Sequence, residues 1–158
     1  MADREGVSRA VMLEGKYHPG RDAAERFPDW VIRHRTLSHG IPEVMCRRRR
    51  VILIESQDTW PAKRCSLAHA VAHLDLNHQA TASGTFDRRQ EDHAHQLAAR
   101  RLIGIDDLAR ALSWTRFITE VAAELEVDIR TLNTRQVHLH PSERADLRSR
   151  MTWLEETA

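Results

Sequence analysis

The sequence predicts an α+β fold: a small antiparallel sheet of three strands packed on helices, followed by a helical C-terminal portion. Three observations carry this. Residues 30–37, 44–46 and 51–54 are short runs rich in β-branched and other apolar side chains, separated by turn residues. From Thr59 onward, apolar residues recur at helical spacing. That pattern is interrupted by cap residues such as Asp106 and Asp128. At 158 residues the chain has room for one ordinary domain, or one domain with a helical appendage.

Taken in order, residues 1–17 show weak periodicity and predict a loosely held arm. Pro19 opens a short helix that stops before Pro28, because the residue ahead of a proline avoids the α region. The three strands follow, with Gly40-Ile41-Pro42 and the four arginines at 47–50 as connections short enough to make them antiparallel neighbours. Asp58 or Thr59 caps a helix that accepts Pro61 in its first turn. Leu67, Ala68, Val71, Ala72 and Leu74 give that helix a broad apolar surface up to Asn77. Asp87 with Gln90 forms a capping box for a second long helix, which Gly104 stops. Shorter helices start near Asp106, Thr115 and Asp128, and a last one at Pro141-Ser142. The organisation read from this is an arm at 1–17, a main domain at 18–104 and a C-terminal helical region at 105–158.

Composition narrows the partners. With 41% hydrophobic and 30% charged residues, no window approaches the length of uncharged apolar chain that a membrane span needs. The acidic start, MADREGVSRAVMLEGK, fits neither a secretory nor a transit signal, so the expected location is the cytoplasm. Cys46 and Cys65 are too few and too far apart for a disulfide framework or a redox pair, and read as reduced thiols. Lys and Arg number 24 against 23 Asp and Glu, without the surplus that phosphate binding demands. The arginine run reads as a solvated turn between strands.

Histidine is the anomaly, since five of the ten (His69, His73, His78, His93 and His95) fall between positions 69 and 95. His69 and His73 lie four apart in a helical segment, so both imidazoles project from one face, one turn apart, and one divalent ion can take both. A third ligand must come from another element, and the second long helix offers Glu91, Asp92, His93 and His95. Glu91 could equally be a first-turn carboxylate favoured by the helix dipole. Cys65, eight residues before His73, is about 12 Å from it along the helix axis and cannot share an ion with it. Asp75 should point away from the metal face.

The stretch Leu67-Ala68-His69-Ala70-Val71-Ala72-His73, followed by Glu91-Asp92-His93-Ala94-His95-Gln96-Leu97-Ala98-Ala99-Arg100-Arg101-Leu102, resembles the ImmA/IrrE family of zinc metallopeptidases, in the form found in actinobacteria or phages. The similarity covers roughly residues 18–103. It implies a zincin-like domain in which His69, His73 and Glu91 bind zinc, while Ala94, Ala98 and Ala99 let the second helix pack closely on the first. Leu97 stands where the family prefers Phe. A larger departure is Ala70, at the position of the family's glutamate, the general base toward zinc-bound water in His-Glu-x-x-His enzymes. A methyl group moves no proton. Asp92 and His95, near the third ligand, are the possible substitutes.

Residues 118–136 have the shape of a helix-turn-helix, with Arg130, Asn133, Thr134 and Arg135 on the second helix. Against DNA reading, residues 104–158 hold seven basic and ten acidic side chains, and phosphate neutralisation supplies most non-specific affinity for DNA. The resemblance therefore implies a zinc-binding protein, related to metallo-endopeptidases that cut helix-turn-helix repressors in phages, mobile elements and stress responses. Ala70 leaves the cutting open. The alternatives are a non-catalytic repressor-binding regulator and a DNA-binding module; direct DNA binding is possible but not favoured, and no membrane partner is expected.

Overall fold

The computed structural model describes residues 15–79 and 83–157. Among the described residues ten elements follow one another: α1 (Pro19–Arg26), β1 (Val31–Arg35), β2 (Glu43–Cys46), β3 (Val51–Glu55), α2 (Trp60–Asp75), α3 (Gly84–Leu102), α4 (Ile105–Trp114), α5 (Ile118–Glu124), α6 (Ile129–Val137) and α7 (Pro141–Thr157). The α+β expectation holds, with every described helix after β3 on the C-terminal side of the sheet. Most of the expected N-terminal arm lies outside the described residues. Its last member, Tyr17, packs against the larger apolar cluster and donates its hydroxyl proton to Asp22 Oδ2 at 2.6 Å.

The sheet corrects the expectation of three antiparallel neighbours. Its order is β1-β3-β2; β2 pairs antiparallel with β3, but β1 pairs parallel with β3, Val31 opposite Val51. Burial decides this. Ile52 and Ile54 of β3 are fully enclosed, whereas β1 carries Arg33, His34 and Arg35, all exposed, so the most apolar strand takes the centre and the basic one takes an edge.

Thr59 caps α2 by accepting from the Ala62 amide, with Pro61 in the first turn. At the other end Asn77 adopts φ +50°, His78 N–H bonds to the His73 carbonyl and Asn77 N–H to that of Leu74. These two bonds make a Schellman cap, for which asparagine is among the few suitable non-glycine residues. α3 begins at Gly84 rather than at Asp87, so Asp87 lies inside its first turn. The expected capping box gives way because the Gln90 side chain is buried and bonds instead to Gln79, accepting from its N–H at 3.0 Å and donating to its carbonyl at 2.9 Å. Gly104 is likewise not a left-handed stop; with φ −69° it is the N-cap of α4.

Two apolar clusters form. The smaller joins the sheet to one side of α2 through Ile52, Ile54, Ala70 and Leu74. The larger joins the other side of α2 to α3 and on to Leu139, crossing Gly104 without a break. Ala68, Ala72, Ala94, Ala98 and Ala99 are all buried, so α2 and α3 meet through small side chains. Cys65 is buried in this larger cluster, and burial pushes its thiol up to about 11. Asp75 points away from the histidines and pairs with Arg26 and Arg101.

Candidate metal centre

The i,i+4 spacing on α2 sets the His69 and His73 rings edge to face, with centroids 4.6 Å apart. Their Nε2 atoms converge to 3.2 Å. Glu91, seven residues into α3, reaches across with Oε1 at 3.1 Å from His73 Nε2 and Oε2 at 3.4 Å from His69 Nε2. Because α3 starts at Gly84, Glu91 is beyond the first turn, and the helix-dipole explanation for an acid there falls away.

These spacings suit one ion. Zinc–nitrogen and zinc–oxygen bonds of about 2.0–2.2 Å imply edges of about 3.3–3.5 Å between tetrahedral donors, close to the three distances above. One ligand atom from each of His69, His73 and Glu91 fits within a mutual span of 4.8 Å, so this trio could hold a metal ion. The protonation states agree: burial, then the neighbouring His69, pushes His73 down to about 4, which leaves it neutral with a lone pair to give. Glu91 is half exposed, on the open side of the trio.

Around the trio stand residues that the sequence motifs do not connect to it. Glu43 of β2 places Oε1 2.7 Å from His69 Nδ1. His78, delivered by the Schellman turn, sets its Nδ1 3.0 Å from His73 Nδ1. Arg47 leaves the arginine turn to donate to the His73 carbonyl at 3.0 Å, while its Nε is buried with no partner among the described residues. Sequence distance hid Glu43 and Arg47, each 26 positions from its histidine; only the packing of the β2 side of the sheet on α2 brings them together.

His95 lies flat on the His69 ring, centroids 3.9 Å apart, and accepts a hydrogen bond from Arg130 Nη2 at 2.7 Å. Its Nε2 is 4.0 Å from Glu91 Oε2. Burial, then the nearby His69, pushes it down to about 3. Asp92 is exposed on α3, with no hydrogen bond or ion pair among the described residues. His93 is exposed, its ring 5.8 Å from that of His78.

Ala70 follows the first histidine and is 2% exposed, packed against Ile52 and Ile54 beneath a cleft of about 700 Å³. Glu43, Met45, Arg47, His69, His73 and Glu91 also line that cleft. A methyl group is what the α2 face presents there, between the two imidazoles and the edge strand.

Residues 118–136 fold into two helices, α5 and α6, joined through Glu126 at φ +54°. Arg64 holds the turn by donating to the Leu125 and Glu126 carbonyls. Two of the side chains that a DNA-reading helix would need are engaged within the chain. Arg130 is bonded to His95, and Arg135, 4% exposed, pairs with Glu143 through two bonds of 2.9 and 3.0 Å and donates to the Ile103 carbonyl.

The model of one protein family, Peptidase M78 (IrrE N-terminal-like domain), matches residues 16–136. No curated protein matches the sequence. Among the described residues no helix is long and apolar enough to cross a membrane.

Proposed function

Because the chain belongs to the IrrE N-terminal-like domain family of peptidases, we propose that it is a cytoplasmic zinc protein on a metallopeptidase frame, which engages a helix-turn-helix repressor and hydrolyses peptide bonds poorly. One observation carries this reading: three metal-type donors converge at 3.1–3.4 Å while the adjoining position 70 holds a methyl group. His73, held neutral, offers a lone pair beside the Nε2 of His69, and Glu91 contributes a carboxylate of the kind that favours a divalent cation. Zinc in such a site supplies Lewis acidity toward a carbonyl oxygen and toward water. The chain supports binding there better than turnover, because the two imidazoles and Glu91 are committed to the ion and Ala70 cannot accept a proton.

The partner's seat in this reading is β2. Glu55 N–H bonds to the Pro42 carbonyl, and the antiparallel alternation then turns the peptide groups of Val44 and Cys46 toward β3 and those of Glu43 and Met45 outward. An extended protein segment can add to this edge beside the cleft. The repressor as partner rests on the family resemblance. Residues 118–136 serve as a packing and docking element, supported by the internal engagement of Arg130 and Arg135 and by the acidic balance of the C-terminal region.

Elemental analysis tests the metal. The purified protein should carry about one zinc per chain. His69→Ala or His73→Ala should abolish loading, and Glu91→Ala should weaken it. No zinc under metal-replete conditions, or full loading in His69→Ala, overturns the reading.

A further inference from the structure

We propose that Glu43, on the edge strand, is a positioning residue for the metal centre: its carboxylate accepts the Nδ1 proton of His69 and thereby fixes the tautomer whose Nε2 lone pair faces His73 and Glu91. The inference rests on the metal-binding reading above and specifies how this chain prepares the site. A neutral imidazole carries one N–H, and its place is set by what the other nitrogen meets. In water the proton favours Nε2, which would turn a donor into the cluster and cancel the ligand. An anionic acceptor 2.7 Å from Nδ1 reverses that preference.

Burial strengthens the effect, since the side chains of His69 and Glu43 are only 8% and 16% exposed and little water competes for the bond. The ring is held on its other sides as well, flat against His95 at 3.9 Å and edge-on to His73 at 4.6 Å. His73 has a neutral counterpart, the His78 Nδ1 at 3.0 Å. Of the two imidazoles, His69 is therefore the one with a carboxylate behind it, as in carboxylate–histidine–metal arrangements. The same bond keeps Glu43 from replacing the base lost at position 70. Its Oε1 sits at the Nδ1 edge of the ring, across the imidazole from the converging Nε2 atoms.

The test measures zinc affinity by competition with a chromophoric chelator in the wild type, Glu43→Gln and Glu43→Leu. Long-range proton–nitrogen NMR on the metal-free proteins at neutral pH is run beside it, with His69 assigned against His69→Gln. The wild type should hold the His69 proton on Nδ1. Glu43→Gln, whose amide oxygen still accepts, should keep that tautomer and lose about 3–10-fold in affinity. Glu43→Leu should move the proton to Nε2 and lose about 10–100-fold. A wild-type proton on Nε2, or unchanged affinity in either variant, overturns the proposal. Because the tautomer is read without metal, a wild type that binds no zinc yet carries the Nδ1 proton sinks the metal reading and upholds the role of Glu43 in orienting His69. Should the leucine variant not fold, the wild-type tautomer and the glutamine affinity decide the matter.

Discussion

On the proposed reading, a single side chain at position 70 separates holding a metal from using it. The residue follows His69 directly on α2 and borders the cleft, so a glutamate there would carry its carboxylate into the space beside the two Nε2 atoms. Ala70→Glu should therefore raise zinc-dependent cleavage of a bound repressor by something like the 10²–10⁴-fold that a positioned general base is worth. Mass spectrometry of the partner after incubation checks this, with zinc content and thermal unfolding as controls. No gain in a folded, zinc-loaded variant would show that alignment of the peptide has been lost as well as the base. Robust cleavage by the wild type would place a base elsewhere. His95 is a poor candidate, because Arg130 occupies its Nε2.

Among the helices, the joint of α6 and α7 combines one buried apolar side chain, Leu139, with an ion pair. α7 has no buried residue, and Glu143 in its first turn meets the enclosed Arg135 guanidinium of α6. The Arg135 hydrogen bonds, aided by the His140 N–H, hold the Glu143 carboxyl down to about 2 against an ordinary 4.5. A carboxyl lowered on folding stabilises the folded state above its unfolded value, and the contribution is lost as pH falls through the folded one. Glu143→Gln should thus cost about 1–2 kcal/mol near neutrality, once solvent screening of this partly exposed pair is allowed for. The gap to the wild type should close between about pH 4.5 and 2, as read by urea unfolding at a series of pH values. A gap that persists at the acid end would show that packing, not the ion pair, holds the joint.

For the molecule as a whole, the histidine cluster sits where α2 stands between the two apolar clusters, one toward the sheet and one toward the C-terminal helices. The frame positions the site from both sides, and the C-terminal helices use their basic residues within that frame. With seven basic against ten acidic residues at 104–158, and Arg135 enclosed, little counterion release is on offer to DNA. Fluorescence anisotropy with duplex DNA at physiological salt should show at most weak, salt-sensitive binding. A sequence-specific complex at nanomolar concentration would restore the DNA-reading alternative for α6.

Local chemistry in the sequence was enough to determine several things. His69 and His73 share a face because helical periodicity dictates it, and Thr59 and Asp128 cap because their oxygens reach the next free amides; the burial of Ala94 and Ala98 was implied by the family resemblance rather than by local pattern. The family, too, was legible in those spacings. The tertiary structure alone decided what depends on residues far apart. It put β3 between β1 and β2, since burying Ile52 and Ile54 outweighs the short connections that suggested antiparallel neighbours. It turned Gln90 from a cap to the Gln79 backbone, because a buried amide must be bonded where it lies. Above all it brought Glu43 to His69 across 26 residues, a meeting no local pattern encodes, because strand-to-helix packing sets which side chains face each other.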